Sequence, residues 1–112
     1  MKLVWTKAAI RDLMHLRRHI ARDNPEAARI MAHRILDAVR SLLRHPEMGR
    51  IGRLAGTREL VVTRTPYLVP YRIRPKVIEL LRVLHGRQEW PSSGRANRGI
   101  QPTRKKTRAA DA

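Results

Sequence analysis

The stretch LHGRQEWP, residues 84–91, places an imidazole and a guanidinium at the end of a run of strand-forming aliphatic residues. His85 can accept or donate a proton. Arg87, two residues later, carries a planar fork of donors that suits bidentate pairing with phosphate or carboxylate. The pattern predicts either a site that handles an anion or the solvent-exposed end of a strand, and the spacing alone leaves both open.

Further arginines lie in stretches that read as strands, at Arg58, Arg72, Arg74 and Arg82. A strand on an open sheet face needs polar residues, so a solvated face is the ordinary explanation for them. Their density over one small sheet nevertheless favours a face that binds an anion or a target, and we expect Arg87 to belong to it.

Two other patterns do not predict a metal or cofactor site. His15 and His19 stand four residues apart, as metal ligands on a helix do, but no Glu or Cys ligand accompanies them. The glycines between residues 49 and 56 follow no strand and precede no Gly-Lys-Ser/Thr, so they do not form a phosphate loop. The chain also lacks cysteine. We therefore expect neither a metal nor a cofactor.

The chain is strongly basic for its size, with 25 Lys and Arg against 9 Asp and Glu in 112 residues and a net charge of +16. This length suits one domain, and the charge favours polyanionic partners such as nucleic acid or an acidic protein. No apolar run approaches the roughly 20 residues of a membrane span, and the start MKLVWTKAAIRD is unlike a signal peptide. We expect a cytoplasmic protein without a membrane partner.

The composition changes after Pro91. Residues 92–112 hold six basic residues, one acidic residue and a single large aliphatic residue, Ile100. Such a segment buries too little apolar surface to offset the entropy of ordering it, so we expect a disordered basic tail after a domain at residues 1–91. Subtracting the tail's net +5 from the total of +16 leaves +11 on that domain.

Deleting residues 92–112 should therefore leave the melting temperature nearly unchanged in a thermal unfolding scan. The same deletion should weaken salt-sensitive binding to polyanions, because six positive charges are removed. A large drop in melting temperature would contradict the domain boundary at residue 91.

The remaining elements follow from hydrophobic period. KLVW predicts a short strand, and Thr6 and Asn24-Pro25 predict the starts of two helices joined by a short turn. Their apolar stripes predict a helix hairpin that packs through Leu13, Leu16, Ile20, Met31, Ile35 and Leu42.

After Gly49 the period changes to that of strands, which we expect at residues 58–63, 67–74 and 77–85. The last of these is apolar on both faces, so it should be central. Pro70 interrupts the middle strand and predicts a bulge or an unpaired side. The order β-α-α-β-β-β predicts an α+β domain with the hairpin on one face of a small, mostly antiparallel sheet. Trp90 is expected to fold back over the sheet edge or the hairpin.

These segments in this order, MKLVWT, the helix hairpin, GTRELVVTRTPYLVPYRI and LRVLHGRQEWP, resemble the RelE/ParE superfamily of bacterial toxins over about residues 1–91. The resemblance implies a toxin of a type II toxin–antitoxin system, neutralised in a hetero-oligomer by a cognate antitoxin that is usually acidic. The basic surface fits such a partner, because opposite charge speeds and directs association.

The superfamily divides by target: RelE-like members cleave mRNA on the ribosome, whereas ParE-like members block DNA gyrase. The nuclease pattern has two strand lysines and an Arg after the strand Tyr; here Glu59, Val61 and Leu68 stand at those positions. Trp90 stands roughly where a catalytic Tyr could be, and its N–H cannot take up a proton. The resemblance therefore favours gyrase as the target.

Three alternatives stay open. One is a rearranged nuclease that uses His85, Arg87, Arg82 and Glu59 as catalytic residues. Another is a non-toxic, basic nucleic-acid-binding module, which would bind DNA or RNA with strong salt dependence. The third is a degenerate toxin that only pairs with its antitoxin.

Overall fold

The computed structural model describes residues 1–91, so the expected basic tail lies outside the described residues. Its elements are β1 (Lys2–Trp5), α1 (Lys7–Ala21), α2 (Pro25–Ser41), β2 (Arg50–Ile51), β3 (Arg58–Val61), β4 (Tyr67–Ile73), β5 (Val77–Leu80) and β6 (Leu84–His85). Neither described helix combines the length and the apolar character that crossing a membrane requires.

Both helices begin at the residues that the sequence predicts. The Thr6 hydroxyl accepts a hydrogen bond from the Ala9 N–H at 3.1 Å, and the Asn24 side chain accepts one from the Ala27 N–H at 3.0 Å. These bonds satisfy amide groups that the first turn of a helix leaves without a partner. Pro25 occupies the first position of α2, where a missing N–H costs nothing.

The strands form one mixed sheet in the order β1-β5-β4-β3-β2, with β6 paired to β4. β1 runs parallel to β5, and the other pairs are antiparallel. The predicted α+β class with a mostly antiparallel sheet is confirmed. β5 lies between β1 and β4, which agrees with its apolar character on both faces.

The predicted strand 77–85 is wrong as a single element, because it is two strands with a break between them. Leu80 pairs with Tyr71, whereas Leu84 pairs with Leu68. Three residues, 81–83, therefore lie opposite two, 69–70, which is the one-residue excess of a bulge. Pro70 marks the place: it has no N–H to donate, and its carbonyl accepts the Leu81 N–H at 2.9 Å.

Smaller differences concern strand ends and one additional strand. The strands predicted to end at residues 63 and 74 end at Val61 and Ile73. The two-residue strand β2 pairs with β3 at the sheet edge and was not predicted. A two-residue strand shows no alternation, so the sequence carries no periodic signal for it.

The main core lies between the helix hairpin and one face of the sheet, called here the helix face. Ile35 and Leu42 are fully buried in it, and Leu13 and Ile20 pack against it partly buried. Met31 is half-buried. From the sheet the core receives Leu60, Val62, Val69, Tyr71, Ile78 and Leu80.

The opposite face of the sheet, called here the open face, carries a second apolar cluster. Leu68 and Leu84 pair across β4 and β6 and pack with Trp90, which is 3% exposed. Trp90 thus folds back onto the sheet, as expected for an apolar lid, but on the face away from the helices. Its carbonyl accepts a hydrogen bond from Arg53 at 3.1 Å, which ties the segment after β6 to the β2–β3 loop.

Candidate functional site

The break between β5 and β6 places Arg82 against α1. The Arg82 guanidinium donates two hydrogen bonds to the Asp12 carboxylate, at 2.7 and 3.1 Å. The Val83 N–H donates to the same carboxylate at 2.9 Å. The structure thus places Arg82, a predicted anion- or target-binding residue, in an ion pair with Asp12.

Arg58 also has partners inside the fold. It shares the helix face with Leu60, and its guanidinium donates to the carbonyls of Glu47 and Gly49 at 3.1 and 2.8 Å. The Tyr71 hydroxyl holds the same loop, because it donates to the Pro46 carbonyl and accepts the Gly49 N–H. Arg58 therefore lies on the opposite face of the sheet from Arg72, and its role in binding a target stays a prediction.

Glu59 lies on the open face and is only 1% exposed. Its carboxylate accepts hydrogen bonds from the Arg50 guanidinium at 3.1 Å and from the Arg53 N–H at 3.0 Å, and it pairs with the Arg53 side chain at 3.3 Å. A buried carboxylate is stable only when it is paired in this way. Glu59 is thus occupied by two arginines, and acting as a proton acceptor would require breaking these bonds.

Arg72 and Arg74 share one carboxylate, that of Glu79. Arg72 lies directly opposite Glu79 in the β4–β5 register, and the Arg74 side chain donates to Glu79 at 3.2 Å. Burial lowers the pKa of the Arg72 guanidinium, and the nearby charge of Arg74 lowers it further, while Glu79 acts in the opposite direction. Target binding by Arg72 and Arg74 stays a prediction.

The open face as a whole has an excess of positive charge. Two carboxylates, Glu59 and Glu79, face four guanidinium groups: Arg50, Arg53, Arg72 and Arg74. Arg50 and Arg53 were not singled out from the sequence, because they precede β3 in a stretch without strand period. Their position a few residues before Glu59, a carboxylate in a strand that is otherwise largely apolar, is the one signal that could have indicated them.

His85 and Glu59 lie on opposite faces of the sheet. His85 pairs with Tyr67 on β4, which alternates with Val69 and Tyr71 on the helix face, whereas Glu59 pairs with Pro70 on the open face. The His85 ring meets the edge of the Tyr67 ring, with centroids 5.7 Å apart. Arg87 is exposed, and its backbone N–H donates to His85 Nδ1 at 3.1 Å.

The four residues of the rearranged nuclease therefore do not form one constellation. His85 and Arg87 are adjacent, Arg82 is paired with Asp12, and Glu59 lies across the sheet. Sequence reasoning missed Asp12, which accepts hydrogen bonds from Arg82 and Val83 in the break between β5 and β6. It is an acidic residue beside the apolar stripe of α1, and a carboxylate so close to a core needs a partner.

Comparison with known proteins agrees with this fold. Residues 3–90 match the family model of the ParE toxin of type II toxin–antitoxin systems, parDE. The chain is 42% identical over 90 residues to the protein Y4kP of Sinorhizobium fredii, covering 80% of this chain and 93% of that protein. It is 38% identical over 84 residues to the toxin RelE2 of Caulobacter vibrioides, covering 75% and 93%.

Solved structures give the same result. A chain of the chromosomal ParDE system of P. aeruginosa superposes with a TM-score of 0.69 at 31% identity, covering 76% of this chain and 95% of that one. The YoeB/ParE toxin of Agrobacterium tumefaciens superposes with a TM-score of 0.55 at 26% identity, covering 76% and 98%. The family match spans most of the residues that the structure describes, and the chain belongs to the ParE toxin family, within the RelE/ParE superfamily of type II toxins.

Proposed function

We propose that this toxin acts on DNA gyrase rather than on ribosome-bound mRNA. The observation that carries the proposal is the separation of the nuclease candidates, with Glu59 and His85 on opposite faces of the sheet. Cleavage at a phosphodiester needs proton transfer and charge stabilisation at one place. A toxin without such a constellation inhibits growth by binding its target and not by cutting it.

The apolar cluster on the open face also supports the proposal. Leu68 stands where the nuclease pattern has an arginine, and it is buried against Leu84 and Trp90. Val61, where that pattern has a lysine, is 51% exposed beside this cluster. The cluster itself is buried, so the surface that a partner could contact here is the exposed Val61 together with the neighbouring arginines, and arginine is enriched in protein interfaces.

A type II toxin has a cognate antitoxin as its partner, and we propose that this antitoxin carries an acidic segment. The domain keeps a net charge of +11 without residues 92–112. An acidic partner would associate faster at low salt, because screening weakens the attraction between exposed charges.

Purified toxin should inhibit gyrase supercoiling and should leave mRNA intact in programmed ribosomes. Induced expression should cause filamentation and a DNA damage response, with bulk mRNA intact. Arg72→Ser should weaken gyrase inhibition about tenfold, because a hydrogen bond to a charged group contributes roughly 1.5–3 kcal/mol. Arg44→Ser, at an exposed position just after α2, is the matched control and should retain full inhibition.

Codon-specific mRNA cuts that disappear in His85→Ala or Arg87→Ala would overturn the proposal and make these two residues catalytic. Salt-sensitive nucleic-acid binding without growth inhibition would instead indicate a binding module. A chain that binds its antitoxin but affects neither gyrase nor ribosomes would be a toxin that has lost its activity.

A further inference from the structure

A groove between α1 and the ends of β4 and β6 brings together three imidazoles and a phenol. Asp12, His15 and His19 lie on one side of α1, since residues three and four apart share a helix face. Tyr67 and His85 face them from the sheet. The groove has a volume of about 330 Å³ and is completed by Leu16, Val83 and Gln88.

The carboxylate in this groove is already compensated. Both Asp12 oxygens accept from Arg82, and one also accepts the Val83 N–H. Asp12 therefore repels an incoming anion much less than a free carboxylate would. No group of three His, Asp or Glu side chains in residues 1–91 is arranged to hold a metal ion.

The remaining polar groups of the groove are hydrogen-bond donors. His85 Nδ1 accepts the Arg87 N–H at 3.1 Å, so the neutral ring carries its proton on Nε2, by assignment from that hydrogen bond. The Gln88 side-chain oxygen accepts the His85 N–H at 2.9 Å, which leaves its NH₂ group to donate. Burial raises the pKa of the Tyr67 hydroxyl, which keeps it protonated.

The surface next to the groove is basic. His15 also borders a neighbouring concavity on α1, which is lined by Lys7, Arg11 and Arg18 together with Ile10 and Met14. The donors and cations suit a phosphate group, and the aromatic rings beside them suit a nucleobase. Together they fit a nucleotide.

We propose that this groove binds the phosphate group of a nucleotide, with His15, His19, His85 and Tyr67 as donors and the cations of α1 beside it. The nucleotide is either free or part of a single strand. The proposal concerns binding without cleavage, and it does not depend on whether gyrase is the target.

The five histidines of the chain allow the site to be tested directly. His15, His19 and His85 line the groove, whereas His33 and His45 are exposed elsewhere. Histidine ring signals of the full-length protein would be followed by NMR during titration with AMP, inorganic phosphate and a short oligothymidylate. AMP or the oligonucleotide should shift the three groove signals and leave the other two in place.

Saturation by AMP without an effect of the oligonucleotide would indicate a free nucleotide, and the reverse would indicate a nucleic-acid strand. The double variant His15→Ala/His19→Ala should weaken binding about tenfold, because it removes two hydrogen-bond donors from the groove. His33→Ala/His45→Ala is the matched control and should bind normally. Equal shifts of all five signals, no shift in the groove, or stronger shifts with a polyglutamate peptide would overturn the proposal.

Discussion

Replacing Ile35 with alanine should lower the free energy of unfolding by about 2–5 kcal/mol, because it removes a fully buried side chain and leaves a cavity. Ile35 is 0% exposed and lies in α2 against the core that the hairpin shares with the sheet. The neighbouring backbone belongs to two regular layers and cannot collapse fully into the vacated space. Equilibrium unfolding in urea, with the midpoint and slope fitted together, measures the loss.

Ile10→Ala is the matched control for this substitution. Ile10 lies near the start of α1 and is 45% exposed. Its replacement is the same chemical change in a helix, but it opens no core cavity. Its cost should stay within about 0.5 kcal/mol, as for most surface substitutions. A loss below about 0.5 kcal/mol for Ile35→Ala would mean that the assigned face of α2 is wrong.

The helices and their caps could be predicted because their signals are local. Thr6, Asn24 and Pro25 each act within one helical turn. The apolar stripe of each helix, marked by Leu16 in α1 and by Ile35 and Leu42 in α2, indicates which side is buried. Each of these signals is read within a few residues of the chain. The change of hydrophobic period after Gly49 is also a local signal. It predicted the strands of the sheet and therefore the α+β class.

The break between β5 and β6 could be predicted only in part. Pro70 indicated that the ladder is interrupted there, but the residues opposite are aliphatic and continue the strand pattern. The extra residue of the bulge lies in the segment between β5 and β6, where the Val83 N–H donates to Asp12, 71 positions away in sequence. A sequence pattern with period 2 contains nothing about such a distant acceptor.

The arginines show the same limit. Arg58 alternates with Leu60, so its place on the helix face was readable from the sequence, but its carbonyl partners at Glu47 and Gly49 were not. Arg82 reads as a polar residue on an open face until Asp12 is placed beside it. Tertiary pairing therefore decides which partner each guanidinium group meets: Arg82 meets Asp12, and Arg74 meets Glu79. Target binding by these arginines stays a prediction.

Replacing Asp12 with alanine should lower the free energy of unfolding by about 2–4 kcal/mol, just below the range for breaking a fully buried ion pair. Asp12 and Arg82 are 15% and 27% exposed at the side chain, so water compensates only part of the loss. The substitution leaves the Arg82 guanidinium and the Val83 N–H without their acceptor. Urea unfolding of Asp12→Ala, Arg82→Met and the double variant would give the coupling energy.

Asp37→Ala is the control, since Asp37 pairs with Arg40 at 3.4 Å with both side chains about 70% exposed. Exposed pairs of this kind contribute little, so its cost should stay below about 0.5 kcal/mol. Asp12→Leu combined with Arg82→Met should recover much of the stability, because an apolar pair leaves no charge unpaired. It would still lack an acceptor for the Val83 N–H, so amide exchange at Val83 should remain faster than in the unmodified protein. If Asp12→Ala and Asp37→Ala cost the same, the Asp12 carboxylate does not hold the β5–β6 break, and another contact must fix the register that places His85 beside Tyr67.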